Sequence, residues 1–211
     1  MALSRLYFIT GETAPLEQIE AACVAGVRLI QLRMKEATDE EFLLTAREAK
    51  KICAFHDRML IINDRVEVAA AVDADGVHVG QEDMPAREAR RRLGVGKIVG
   101  GTANTLEDIR EHYLGGADYI GLGPYRYTTT KKKLSPILGL EGYRGVMQRL
   151  EEEGISLPVF AIGGVGVADV GLLMEAGVYG VAFSGLLVQA RDWAGLVTEI
   201  LKQFSYADNC R

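Results

Sequence analysis

The chain has 211 residues, 48% of them hydrophobic and 25% charged, with 24 glycines and only 5 prolines, which excludes a disordered or collagen-like polymer. Twenty-four Lys and Arg against 29 Asp and Glu give a formal charge of −5, so no domain-wide basic face for nucleic acid is expected. No apolar run approaches the roughly 18 residues of a membrane span.

The first apolar run, Leu6–Ile9, is too short for a signal-peptide core and reads as a strand. Similar short, continuous runs follow at Val27–Leu32, Met59–Ile62, Gly76–Val79, Ile98–Gly101, Tyr119–Gly123, Val159–Ile162 and Gly180–Phe183. Continuous apolar runs of this length mark strands buried on both faces, as parallel strands are. Stretches of helical period lie between them, at Pro15–Ala25, Glu40–Phe55, Arg65–Val72, Ala86–Leu93, Leu106–Leu114, Tyr143–Glu153, Val167–Glu175 and Leu186–Phe204. Strict β/α alternation implies a parallel sheet with right-handed crossovers. Eight units in 211 residues predict an α/β fold, a single (β/α)8 TIM barrel spanning residues 1–211. An open sheet would need fewer units, and no G-x-G-x-x-G follows the first strand. Gly26, Gly115-Gly116, Gly154 and Gly177 each stand where a helix C-cap is due. Cys23 and Cys53 fall in apolar-periodic stretches, and with Cys210 they form no C-x-x-C, a usage that fits a reducing cytoplasm.

In such a barrel, ligands meet the loops at the C-terminal strand ends. After strand two, Gln31-Leu32-Arg33-Met34-Lys35 offers two cations and an amide suited to an anion; an ion pair of Arg33 within the barrel is the structural alternative. After strand three, Asn63-Asp64 could cap a helix, and so could Asp83 after strand four. Being on adjacent strands, Asp64 and Asp83 could instead converge on Mg2+, which takes one or two carboxylates plus substrate phosphates. His78, inside strand four, reads as a satisfied core or supporting histidine rather than a general base. After strand five, Thr102 supplies a hydroxyl and Thr105 a helix cap. The longest loop follows strand six and carries Thr128-Thr129-Thr130-Lys131, suited to a lid over phosphate groups. Gly163-Gly164 and Ser184-Gly185, after strands seven and eight, can expose backbone N–H groups to a second phosphate. A metal-diphosphate pocket beside a phosphate-monoester pocket suggests group transfer that displaces pyrophosphate.

These motifs, in this order over residues 31–185, resemble those of the thiamine-phosphate synthase family. The resemblance implies a transferase of thiamine biosynthesis. It joins hydroxymethylpyrimidine diphosphate to a thiazole phosphate, plain or carboxylated, and releases pyrophosphate with Mg2+. It implies that Asp64 and Asp83 bind the metal. Gln31, Arg33, Lys35, Asn63 and Lys131 would surround the pyrimidine diphosphate; Leu32, Met34 and Thr102, the last standing where the family usually has serine, would also bind substrate, with Lys131, Arg33, Lys35 and Thr102 acting in catalysis. Thr128, Thr129, Thr130, Gly164, Ser184 and Gly185 would hold the thiazole phosphate. Partners would be these small molecules rather than nucleic acid or membrane, and a homo-oligomer is left open. The chain departs from the family pattern at Thr102-Ala103-Asn104, which replaces Ser-x-His, at Tyr125-Arg126-Tyr127, and at Ser184-Gly185-Leu186. A related thiazole tautomerase, relying on a histidine where Asn104 stands, and a non-catalytic binder of thiamine precursors are the alternatives.

Overall fold

Every one of the eight apolar runs forms a strand, because each can bury both faces only by lying between a filled barrel interior and a ring of helices. In the computed structural model, which describes residues 3–127 and 136–209, the strands are β1 (Leu6–Ile9), β2 (Leu29–Leu32), β3 (Met59–Asn63), β4 (Gly76–Val79), β5 (Ile98–Ala103), β6 (Tyr119–Leu122), β7 (Val159–Ala161) and β8 (Gly180–Phe183). They pair in parallel in chain order, and β8 closes on β1 through Leu6↔Val181 and Phe8↔Phe183. The helices are α1 (Pro15–Val24), α2 (Asp39–Phe55), α3 (Val66–Ala71), α4 (Ala86–Leu93), α5 (Leu106–Leu114), α6 (Gly139–Glu152), α7 (Val170–Glu175), α8 (Gly185–Val188) and α9 (Trp193–Asn209). The expected (β/α)8 TIM barrel is the fold observed. Among the described residues, no helix is long and apolar enough to cross a membrane.

Local chemistry sets the helix ends. Thr38 and Glu41 form a reciprocal capping box at the start of α2, and Thr105 with Asp108 does the same for α5. The last helical stretch divides where a single helix, Leu186–Phe204, was expected. The side chain of Asp192 accepts from Gly195 N at 2.9 Å and opens α9 as a fresh N-terminus.

Two strands run further than expected, and both extensions matter. β5 continues to Ala103 by pairing Thr102↔Gly121 and Ala103↔Leu122, and β3 continues to Asn63 by pairing with His78. Thr102 and Asn63 therefore lie on strands, where the pleat fixes the direction of their side chains.

Alternation along each strand creates two apolar layers. Residues facing the helices, such as Phe8, Ile30, Leu32 and Ile62, join the main core. Those facing inward, including Tyr7, Leu29, Met59, Ile61, Tyr119, Phe160 and Ala182, fill the barrel itself. The rings of Tyr7, Tyr119 and Phe160 meet edge to face at 5.5–5.7 Å. Tyr119 can lie across the interior only because Gly100 faces it: a Cβ there would sit 2.1 Å from Tyr119 Cζ. Gly100→Ala overpacks this layer and is expected to cost about 2 kcal/mol, lowering the thermal midpoint by roughly 4–8 °C. An unchanged midpoint in a thermal melt would show that the interior has slack at this point.

Candidate active site

The C-terminal ends of the strands bring most of the expected residues that are described to one rim. Gln31 is the last inward residue of β2 and is buried. Beyond it the chain is held by its neighbour: Thr10, at the end of β1, accepts from Arg33 N at 2.9 Å and donates to Arg33 O. The Arg33 guanidinium meets Glu12 in the first loop at 2.9 Å. Glu12 also accepts from Lys35 N at 3.2 Å. A carboxylate gripped by a guanidinium and a backbone amide shows that this loop is shaped for an anion. Arg65 fastens the same loop from β3, donating to Met34 O, Ala37 O and Asp39 while its guanidinium lies 4.4 Å from the Phe42 ring centroid. Leu32 and Met34 turn toward the helices and pack in the outer core, so their side chains are not brought to the rim and only their backbone could meet a ligand.

Asp64 and Asp83 do not act as helix caps. The N-cap positions of α3 and α4 are Arg65 and Pro85, and neither helix has a side-chain cap. Instead the two carboxyl groups come within hydrogen-bonding reach of each other, with Lys35 Nζ 3.2 Å from Asp64 Oδ2. Asp83 is fixed by accepting from Gly80 N at 2.7 Å, and Asp64 by donating its N–H to His78 O at 2.8 Å. Asp64 adopts φ 60°, a left-handed conformation that Asp tolerates better than most residues. Burial, then the hydrogen bond and negative charge of Asp83, push the Asp64 carboxyl up to about 6, against the opposing pull of Lys35. A carboxyl whose ionisation is opposed by a second carboxyl beside it favours a cation at that place. Among the described residues no group of three or more His, Cys, Asp or Glu gathers around an ion position. Two oxygen donors would suit a hard, oxygen-seeking ion such as Mg2+, whose other positions water and phosphate oxygens would fill. Beside it, buried Asn63 has an Nδ2 with no hydrogen-bond partner, a donor that a ligand oxygen would satisfy.

On the next strands, Thr102 Oγ1 lies 2.9 Å from His78 Nε2, and His78 Nδ1 lies 3.0 Å from the Tyr119 hydroxyl. His78 is thus the satisfied interior histidine that its place on a strand suggested. Asn104 ties β5 to β6, its side-chain amide donating to Gly123 O. Across the rim, Gly163 and Gly164 both hold positive φ, and a Cβ on Gly164 would lie 3.0 Å from Tyr127 O. Arg126 and Asp169 form a bidentate ion pair that ties the start of the β6 loop to the segment after β7, and Asp169 also accepts from Gly166 N at 2.8 Å. Ser184 follows β8 directly and Gly185 begins α8. Thr128, Thr129, Thr130 and Lys131 lie outside the described residues.

Several residues that shape this rim were not singled out from sequence. Glu12 sits after β1, at a strand end where the same barrel rule points to ligand contacts. Tyr7 and Tyr119 read as ordinary strand apolars, and only the register shows that their hydroxyls face inward. Arg126 stood out only as a departure from the family pattern; no spacing announces its pairing with Asp169.

Asp64 makes the metal-free rim pH-sensitive. A carboxyl that binds its proton more tightly folded than unfolded costs stability once ionised, and the cost fades below its unfolded value near 4. Asp64→Asn, without divalent cations, is therefore expected to stabilise the chain at pH 7.5 by roughly 1–2 kcal/mol, a figure discounted for partial exposure. The gain should close as pH falls from 6 to 4. Denaturant titrations across that range check it; a pH-independent gain, or a loss at pH 7.5, would contradict the proximity of the two carboxyls.

Comparison with known proteins adds the lineage. The family model described as thiamine monophosphate synthase (TMP-TENI) matches residues 6–187. A thiamine-phosphate synthase of Bacteroides fragilis is 50% identical over 190 residues, covering 89% of this chain and 93% of the relative. One from Bacteroides thetaiotaomicron is 47% identical over 199 residues, covering 93% and 95%. The solved thiamine phosphate pyrophosphorylase of Pyrococcus furiosus superposes with TM-score 0.83 at 31% identity, over 96% of both chains. The chain belongs to the thiamine monophosphate synthase family.

Proposed function

We propose that the chain is a Mg2+-dependent thiamine-phosphate synthase, joining hydroxymethylpyrimidine diphosphate to a thiazole phosphate, plain or carboxylated. The observation that carries this reading is the convergence of Asp64 and Asp83 beside Lys35 on a rim that also holds Arg33 and the unpartnered amide of Asn63. The bond changes balance without acid or base. The C–O bond to the diphosphate breaks with its electron pair leaving on pyrophosphate, and the thiazole nitrogen lone pair forms the new C–N bond. Such a reaction needs a stabilised leaving group and two held reactants. Bound between Asp64 and Asp83, Mg2+ would supply positive charge to the diphosphate oxygens.

The chain's own residues supply the rest. Arg33 and Lys35 are already anchored to Glu12 and Asp64, so their charges stand in place before a diphosphate competes for them. Gln31, Asn63 and Thr102 offer donors to the pyrimidine half, and Lys131 would reach the departing pyrophosphate. Thr128–Thr130, Gly164, Ser184 and Gly185 would hold the thiazole phosphate at the opposite side. Asn104 supports this reading over a tautomerase, since its amide is spent on Gly123 O and it lacks a proton-accepting ring. The buried free thiols Cys23 and Cys53 suit a reducing compartment, and a cytoplasmic location forms part of the proposal.

Mixing both substrates with Mg2+ is expected to release pyrophosphate and thiamine phosphate; no product with both substrates present would refute the assignment. Asp83→Ala should lower turnover about 100-fold or more, as loss of a charge-stabilising group does. Lys131→Ala should slow pyrophosphate release with an unchanged melting curve. Wild-type turnover of the Asp83 variant would remove the metal role.

A further inference from the structure

Five side chains from five strands form an unbroken hydrogen-bonded line through the barrel interior. Gln31 Nε2 donates to the Tyr7 hydroxyl at 2.6 Å, and the Tyr7 and Tyr119 hydroxyls are 2.8 Å apart. The Tyr119 hydroxyl lies 3.0 Å from His78 Nδ1, and His78 Nε2 lies 2.9 Å from Thr102 Oγ1. Both ends of the line are candidate ligand residues, whereas its three middle members have no part in the function argued above.

Proton counting gives the line a direction. The Gln31 amide nitrogen can only donate, so Tyr7 oxygen accepts there. Burial holds both phenols in their protonated form. If Tyr7 donates to Tyr119, then Tyr119 donates to His78 Nδ1 and the imidazole proton sits on Nε2, facing Thr102. Every proton then has an acceptor, and the Thr102 proton is turned away from the line. In the opposite direction Tyr7 would accept twice, leaving its own proton without an acceptor in the line at a fully buried site, a costly arrangement.

The barrel interior is shaped around this line. A Cβ at Gly100 would overlap the Tyr119 ring, and one at Gly121 would come within 3.2 Å of His78 Cε1. The His78 and Tyr119 rings stack with centroids 5.4 Å apart, and Tyr7 and Phe160 brace Tyr119 from the sides. Hydrogen bonds in such apolar surroundings polarise one another.

We propose that Tyr7, Tyr119 and His78 are positioning residues that fix the Thr102 hydroxyl as a hydrogen-bond donor to the pyrimidine diphosphate. The inference rests on the synthase reading for its ligand, but the direction of the line can be tested without substrate. In uniformly 15N-labelled protein at pH 8, the His78 ring spectrum should place the proton on Nε2; a proton on Nδ1 overturns the proposal whatever the enzyme catalyses. In turnover, Tyr119→Phe should raise KM for the pyrimidine diphosphate about tenfold, the loss expected for one hydrogen bond, and leave KM for the thiazole phosphate unchanged. Thr102→Ala should cost at least as much, and Thr102→Ser should restore activity. Adding Tyr119→Phe to Thr102→Ala should then cost nothing more. Additive losses, or equal changes in both KM values, would reduce Tyr119 to packing. Should Tyr119→Phe fail to fold, Tyr7→Phe serves in the same cycle.

Discussion

Closure of β8 on β1 is the constraint from which the rest follows. An open parallel sheet leaves two edges and spreads its strand ends along a line. Joining Leu6 and Phe8 to Val181 and Phe183 bends that line into a ring, so residues far apart in sequence face one another across a small mouth. Tyr7 and Tyr119 meet across the interior in this way, and around the rim Glu12 meets Arg33, Lys35 meets Asp64, and Arg126 meets Asp169. Each rim pair links neighbouring strand ends or their loops, and together they give the rim its electrostatic pattern.

That pattern is one of charges held in readiness. Arg33 and Lys35 keep carboxylate partners, while Asp83 crowds Asp64 and makes it hold its proton more tightly than an ordinary carboxyl. A ligand that brings both negative oxygens and a cation relieves all these compromises together. Neither a lone anion nor a lone cation does so, which is why the proposed ligand is a metal-bound diphosphate.

The fold was legible in the sequence because its signals are local. Continuous apolar runs, helical periods and cap residues such as Thr105 act over a few positions, and their count alone favours a closed barrel. Asp64 and Asp83 could be paired in advance because adjacent strands put them side by side. The register was less accessible. Strand pairing with β4 and β6 carried Asn63 and Thr102 off their expected loops, and the break before α9 depended on the single side chain of Asp192. Arg65 was not evident for another reason: it holds backbone carbonyls of a neighbouring loop, whose positions no periodicity encodes. The inward hydroxyls of Tyr7 and Tyr119 are hidden likewise, since a buried tyrosine looks like any apolar strand residue until its neighbours across the barrel are known.

The inward glycine at position 100 carries a lesson for redesign. It yields its volume to a ring from the next strand, so the interior works as one mosaic rather than as eight separate staves. The rim cations Arg33 and Lys35 stand on a loop outside this mosaic. New chemistry at Thr102 would instead require Gly100, Tyr119 and their hydroxyl-bearing neighbours to be recut together.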